Sequence, residues 1–195
     1  ITYKRTRSKL KNKYKASEAE IIILVGSENG TTIYFANQVQ KQLLSDGKKV
    51  FIAEMNKYQL YPNAQHILVF TSTYGLGDPP TNANQFLRLV EKQPQQQLIN
   101  YAVIGFGSKS YTDFCAYARE VDTYLGNQTW ARRLVALHTV NDRSAEDFVY
   151  WVQSWAEKSL HALATAPAVY STKVPDLKKF KVIEKTKISD DNTTF

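Results

Sequence analysis

Cysteine is almost missing from this chain of 195 residues; Cys115 is the only one. A single thiol excludes an internal disulfide framework and any metal site built from several cysteines. It fits a reducing compartment. No apolar run approaches the roughly 18 residues that a membrane-spanning helix needs, and no basic-apolar-small signal segment opens the chain. Two nucleotide signatures are absent: there is no Gly-Lys-Ser/Thr of a P-loop and no Gly-x-Gly-x-x-Gly of a dinucleotide site. His66, His138 and His161 are scattered without ligand spacing, so no metal site is expected. Between Lys15 and Lys41 there is no positive side chain at all.

What is present is an apolar fraction of 43%, enough for a sizeable core, since a chain of this length buries roughly 70% of its unfolded surface. The net charge of +7 is unevenly spread. Residues 1–17 hold seven cations and no acid, residues 18–165 hold 12 Lys/Arg against 14 Asp/Glu, and residues 166–195 hold six lysines against four acids. A basic body would suggest nucleic acid; a slightly acidic body with a basic tail does not. The first 17 residues read either as a solvated overhang or as a juxtamembrane segment. Basic residues collect on the cytoplasmic side of transmembrane helices and are drawn to anionic lipid. Ile1 has no initiator Met before it, so the chain is expected to be part of a longer protein.

From residue 20 the pattern is regular. Apolar runs at Ile21–Val25, Val50–Met55, Ile67–Phe70, Tyr101–Phe106 and Leu134–Val140 read as strands. Helical spacing marks Gly30–Ser45, Ala83–Val90, Asp113–Leu125 and Ser144–Leu163. Strands that alternate with helices, each nearly continuously apolar, imply an α/β fold: a doubly wound five-stranded parallel sheet covered on both faces. The order 2-1-3-4-5 is expected, with ligands beyond the carboxyl ends of the strands at the switch point. The tail from Thr165 reads as a linker followed by two weakly alternating segments, Phe180–Ile183 and Lys185–Ile188.

Three loops fall at those carboxyl ends. The first, Gly26-Ser27-Glu28-Asn29-Gly30-Thr31-Thr32, enters a helix, where free N–H groups and the helix dipole favour an anion. With no cation nearby, a phosphate there would be held by neutral donors; the alternative is a hydroxyl-rich helix cap. The second, Thr71-Ser72-Thr73-Tyr74-Gly75-Leu76-Gly77-Asp78-Pro79-Pro80, sets an aromatic ring beside glycines that allow close approach of a flat ligand. The third, Gly105-Phe106-Gly107-Ser108-Lys109-Ser110-Tyr111, repeats that combination. Two tyrosines on separate loops can sandwich a planar ring. A ligand with one phosphate and one large flat ring is indicated, and flavin mononucleotide (FMN) fits.

These three motifs, co-ordered over about residues 20–160, resemble the FMN-binding, flavodoxin-like domain of diflavin reductases, in particular the sulfite reductase flavoprotein and membrane-anchored bacterial relatives. The resemblance implies a phosphate site at Ser27, Glu28 (backbone), Asn29, Gly30, Thr31 and Thr32. It implies ring stacking by Tyr74 and Tyr111, and a flavin edge or ribityl chain met by Ser72, Thr73, Gly75, Gly107 and Ser108. Leu76, Gly77, Gly105 and Phe106 complete the two loops, and Asp142 resembles an acid near the flavin. Leu76 and Thr81 stand where relatives often carry acids, and Asn29 where Thr is common.

The organisation expected is a basic segment at 1–17, a flavodoxin-like domain at 18–164, and at 165–195 a linker opening a FAD- and NADPH-binding reductase region. The function expected is one-electron transfer from that region, in the same polypeptide, to an acceptor such as haem or a ferric chelate. A membrane anchor before Ile1 and a place at the cytoplasmic face of a membrane go with it; no nucleic-acid partner does. The alternatives are a cofactor-free docking module of the same fold and a free-standing flavodoxin.

Overall fold

A computed structural model of the protein describes residues 10–27 and 30–171. Six parallel strands form one sheet: β1 (Ile21–Gly26), β2 (Val50–Glu54), β3 (His66–Ser72), β4 (Ile99–Gly107), β5 (Ala131–Arg133) and β6 (His138–Asn141). The order is β2-β1-β3-β4-β5, with β6 also on β4, as the alternation of elements predicts. Four helices cover it: α1 (Gly30–Ser45), α2 (Phe86–Lys92), α3 (Ala116–Gly126) and α4 (Ala145–Ser159). Successive strand residues point to opposite faces, so Ile21, Ile23 and Val25 pack with α1 and α4, while Ile22 and Leu24 pack with α2 and α3. Both faces are dry, which is why the strands read as unbroken apolar runs.

The expected fifth strand, Leu134–Val140, is two strands. Tyr101 pairs with Arg133, and Ile104 pairs with His138. Along that interval β4 advances three residues while its neighbour advances five. The excess of two is taken up after Leu134, whose N–H still donates to the Tyr101 carbonyl at 2.9 Å; residues 135–137 loop out with Val135 buried in the core. Three helix bounds also differ from expectation. Residues 83–85 form a turn before α2, and Asn56 Oδ1 accepts the Gln85 N–H at 2.8 Å. Cys115 is left-handed (φ 54°), so α3 starts after it; Leu160 is left-handed (φ 60°), so α4 stops before it rather than at Leu163.

The folded body also reaches past residues 18 and 164. Asn12 accepts the Ile52 N–H at 2.7 Å and donates to the Ile52 carbonyl at 2.9 Å, covering the outer edge of β2 with a side-chain amide. Tyr170 is fully buried against Phe148, and its hydroxyl donates to the Ala164 carbonyl at 2.8 Å. The segments Phe180–Ile183 and Lys185–Ile188 lie outside the described residues. No described helix is long and apolar enough to cross a membrane.

At the base of the sheet His66, His161 and Trp155 pack ring to ring, with centroids 5.3–5.9 Å apart. His66 Nδ1 and His161 Nδ1 are buried without a hydrogen-bond partner among the described residues. Burial, reinforced by His161, pushes His66 down to about 4, and burial lowers His161 as well; Glu20 opposes both effects. The unfolded chain therefore binds more protons than the native one between pH ~6.5 and ~4, and stability falls as pH drops through that window. We expect a loss on the order of 2 kcal/mol from this cluster, fully present by pH ~4. Urea unfolding at pH 7 and pH 4.5 checks this. His66→Phe, which keeps the ring and removes the titration, should lose less stability than the parent between the two.

Candidate functional site

The parallel register brings four strand ends level. Gly26 pairs with Thr71, Thr71 with Gly105, and Gly105 with Thr139. The loops after β1, β3, β4 and β6 therefore leave the sheet side by side at its carboxyl edge, where ligands bind in open α/β sheets. Two glycines in this row are required by packing. A Cβ on Gly26 would lie 2.6 Å from Thr71 Oγ1 and 2.9 Å from Ala83 Cβ; one on Gly105 would lie 2.8 Å from Ala118 Cβ and 2.9 Å from Cys115 Cβ. The Cys115 thiol is buried there and pushed up to about 12 by that burial, which marks it as a packing group and not a nucleophile.

In the first loop, the Ser27 N–H donates to Asn82 Oδ1 at 2.8 Å. Glu28 and Asn29 lie outside the described residues. Gly30 opens α1 with open space where a Cβ would stand. The first turn of α1 holds no acid; Thr31 is half-buried and Thr32 buried. Helix geometry leaves first-turn N–H groups without intrahelical acceptors. The Ser27 N–H is engaged by Asn82, and the first turn of α1 brings backbone N–H groups and the Thr31 hydroxyl to the same loop.

The second loop is closed by two 2.8 Å backbone hydrogen bonds between Tyr74 and Asp78. Gly75 (φ 53°) and Gly77 (φ 105°) make the reversal. It raises Tyr74, 59% exposed, and Leu76, 90% exposed. Thr73 turns inward: its Oγ1 accepts the Tyr117 N–H at 3.1 Å, capping α3 where Cys115 offers no side-chain cap. Ser72 ends β3, with Oγ 3.5 Å from the Gly26 carbonyl oxygen.

In the third loop Gly105 and Phe106 are interior. The Phe106 ring packs among Phe35, Phe70 and Phe148 at 5.3–6.2 Å, so only backbone there faces the crevice. The Gly107 carbonyl accepts the Asp142 N–H at 2.9 Å, and the Ser108 carbonyl accepts the Tyr111 N–H at 3.1 Å, a turn that raises Tyr111 to 70% exposure. The Lys109 N–H donates to Asn141 Oδ1 at 2.8 Å. This ties the loop to β6 and to the left-handed pair Asp142 (φ 43°) and Arg143 (φ 65°) before α4.

The fold thus gathers Gly30, Thr31, Ser72, Tyr74–Gly77, Gly107, Ser108, Tyr111 and the exposed Asp142 at one edge. Gly105, Phe106 and the side chains of Thr32 and Thr73 face inward. Sequence reasoning missed Asn56, Asn82 and Asn141, which fix the loops from behind. Asn56 Nδ2 donates to the Thr81 carbonyl at 2.9 Å and to Asn84 Oδ1 at 3.0 Å. The only signal was the run of short polar residues after Pro79-Pro80.

The sequence pattern of the family described as Flavodoxin matches residues 23–155. The chain belongs to the flavodoxin family. It is similar to NADPH–cytochrome P450 reductase of Homo sapiens, 32% identical over 161 residues, which are 77% of this chain and 24% of that protein. It is similar to the reductase of the same name from Sus scrofa, 35% identical over 149 residues, 71% of this chain and 22% of that one. The chain spans about a quarter of the length of these curated relatives. Flavodoxin 1 from Bacillus cereus shares the fold with a TM-score of 0.60 at 17% identity, over 73% of this chain and 99% of that one. A flavodoxin of Streptococcus pneumonia TIGR4 does so with a TM-score of 0.60 at 23% identity and the same coverage.

Thr73→Val should remove the cap on α3 and lower stability by about 1 kcal/mol, while Thr73→Ser, which keeps the acceptor, should leave it nearly unchanged. Urea midpoints of the two variants decide the point.

Proposed function

We propose that this flavodoxin-family domain binds FMN and passes electrons singly between a reductase region of the same polypeptide and an external acceptor. The observation that carries the proposal is the pair of exposed tyrosines, Tyr74 and Tyr111, held on separate loops at the same sheet edge as the acid-free first turn of α1. Two phenol rings offer apolar faces on which a planar ring stacks favourably, and the donor chemistry suits a phosphoryl group with a planar ring. FMN supplies reversible electron storage in that ring. The chain's own residues bind and orient. The first turn of α1, with Thr31 and the Ser27–Asn29 segment, would hold the phosphate by neutral donors, each bond to a charged acceptor contributing roughly 1.5–3 kcal/mol.

Tyr74 and Tyr111 would cover the ring faces. Ser72, Thr73, Gly75, Leu76, Gly77, Gly105, Phe106, Gly107 and Ser108 would line it largely through backbone, with Asp142 at the rim. Among the described residues only Lys109 and Arg143 bring positive charge to these loops, so negative charge building on a bound ring would be weakly compensated. This reading requires no catalytic acid, base or nucleophile.

The relatives' names, which join NADPH to a cytochrome, support an NADPH-dependent reductase region. The resemblance to diflavin reductases adds FAD to it. A haem protein or ferric chelate fits as acceptor, and an anchor before Ile1 would hold the assembly at the cytoplasmic face of a membrane.

Titration of flavin-stripped protein with FMN, followed by quenching of flavin fluorescence, tests the reading. One equivalent should bind. Tyr111→Ala should weaken binding by about 5- to 150-fold, the range of a lost stacking face, and Thr31→Asp should abolish it by setting a carboxylate against the phosphate. Protein that rejects FMN, or two variants that bind like the parent, would contradict the assignment.

A further inference from the structure

A groove of about 490 Å³ lies far from the crevice, between the start of the described chain and the second half of α1. Lys11, Asn12 and Lys13 wall one side; Gln40, Lys41 and Leu44 wall the other. Its walls are fixed by groups that are not charged. Asn12 is clamped to Ile52 by two hydrogen bonds, and buried Gln40 donates to the Lys11 carbonyl at 2.9 Å. The three lysines are exposed, and no carboxylate lines the groove. Among the described residues the one ion pair is Arg133 with Asp122, so Lys11, Lys13 and Lys41 have no acidic partner there. Like charges gathered round a concavity repel one another; Lys13 Nζ lies 5.3 Å from the centroid of the Tyr14 ring, and no carboxylate among the described residues pairs with any of the three. Leu44 adds an apolar patch to the lining among the three lysines.

We propose that this groove docks the domain on an anionic lipid surface, with acidic headgroups seated among Lys11, Lys13 and Lys41. Charge complementarity supports that occupant. The first lining residue of the groove is Lys11, and the sequence before it adds Lys4, Arg5, Arg7 and Lys9 without an acid. Nucleic acid fits less well, because it needs a basic track along the body, and residues 18–165 carry more acids than bases. Lys41 lies 11 residues along α1 from Gly30, about 16 Å at the rise of an α-helix. A membrane at the groove therefore leaves the carboxyl edge of the sheet open to partners. The inference does not depend on what that edge binds.

Co-sedimentation of the full chain with phosphatidylcholine vesicles, plain or containing about 30% phosphatidylserine, tests it. Binding should appear only with phosphatidylserine. Each cation near such a surface contributes about fivefold to partitioning, so Lys41→Gln should lower binding about fivefold. Arg88→Gln removes the same charge from α2, on the other face of the sheet, and should change it less than twofold. Lys41 and Arg88 are both exposed, so both variants should fold, which thermal melts check. Three results would overturn the proposal: no binding by the parent, equal losses in the two variants, or unchanged binding by Lys41→Gln. A fourth would be a single-stranded oligonucleotide whose binding is lost in Lys41→Gln while vesicle binding persists.

Discussion

One row of residues across the sheet governs the rest: Gly26, Thr71, Gly105 and Thr139, hydrogen-bonded neighbours in a parallel register. Small residues are obligatory there because Ala83, Ala118 and Cys115 press on the sheet from α3 and the chain before α2. That close approach brings α3 near enough for Thr73 to cap it and places Asn82 within reach of Ser27. The same row ends the buried part of each strand at one level. Beyond it every strand turns outward into a loop, so residues as far apart in sequence as Gly30 and Asp142 share one crevice. The site is a consequence of register, and register is held by dry packing on both faces.

Much of this was legible in the sequence. Strands buried on both faces must be continuously apolar, and alternation with helices admits few topologies, so the order of the sheet followed from pattern alone. The loops were legible for a similar reason: glycine, hydroxyl and tyrosine together suit few environments. Pairing lengths were not legible. The run Leu134–Val140 is mostly apolar, yet only its last three residues pair in register with β4, and a single strand's sequence does not count its neighbour's residues. Nor do periodic apolar residues reveal the left-handed Leu160, because Leu163 is buried whether or not a helix carries it there. Within the loops, sequence named the chemical types but not their allegiance. Thr73 looks like a ligand donor and serves α3; Asn82 looks like a turn residue and holds Ser27.

The charges are divided between the two ends of α1. At its start there is no cation, and an anion must rely on N–H groups, hydroxyls and the helix dipole. Toward its end three lysines gather without a counterion among the described residues. Between them the interior carries almost no charge; its ionisable groups, such as His66 and Cys115, are kept neutral by burial. The proposed flavin crevice and the proposed lipid-facing groove would thus lie toward opposite ends of α1, separated by about 16 Å of helix.

The central claim, that sequence-distant loops after β1, β3, β4 and β6 form a single flavin crevice, is tested most directly by amide NMR of isotopically labelled protein during addition of FMN. Shifts confined to residues 27–32, 72–78, 105–111 and 141–143, saturating together at one equivalent, are the predicted result. Shifts centred on the base of the sheet around His66 and His161, loops that respond at different FMN concentrations, or no shifts at all would contradict it.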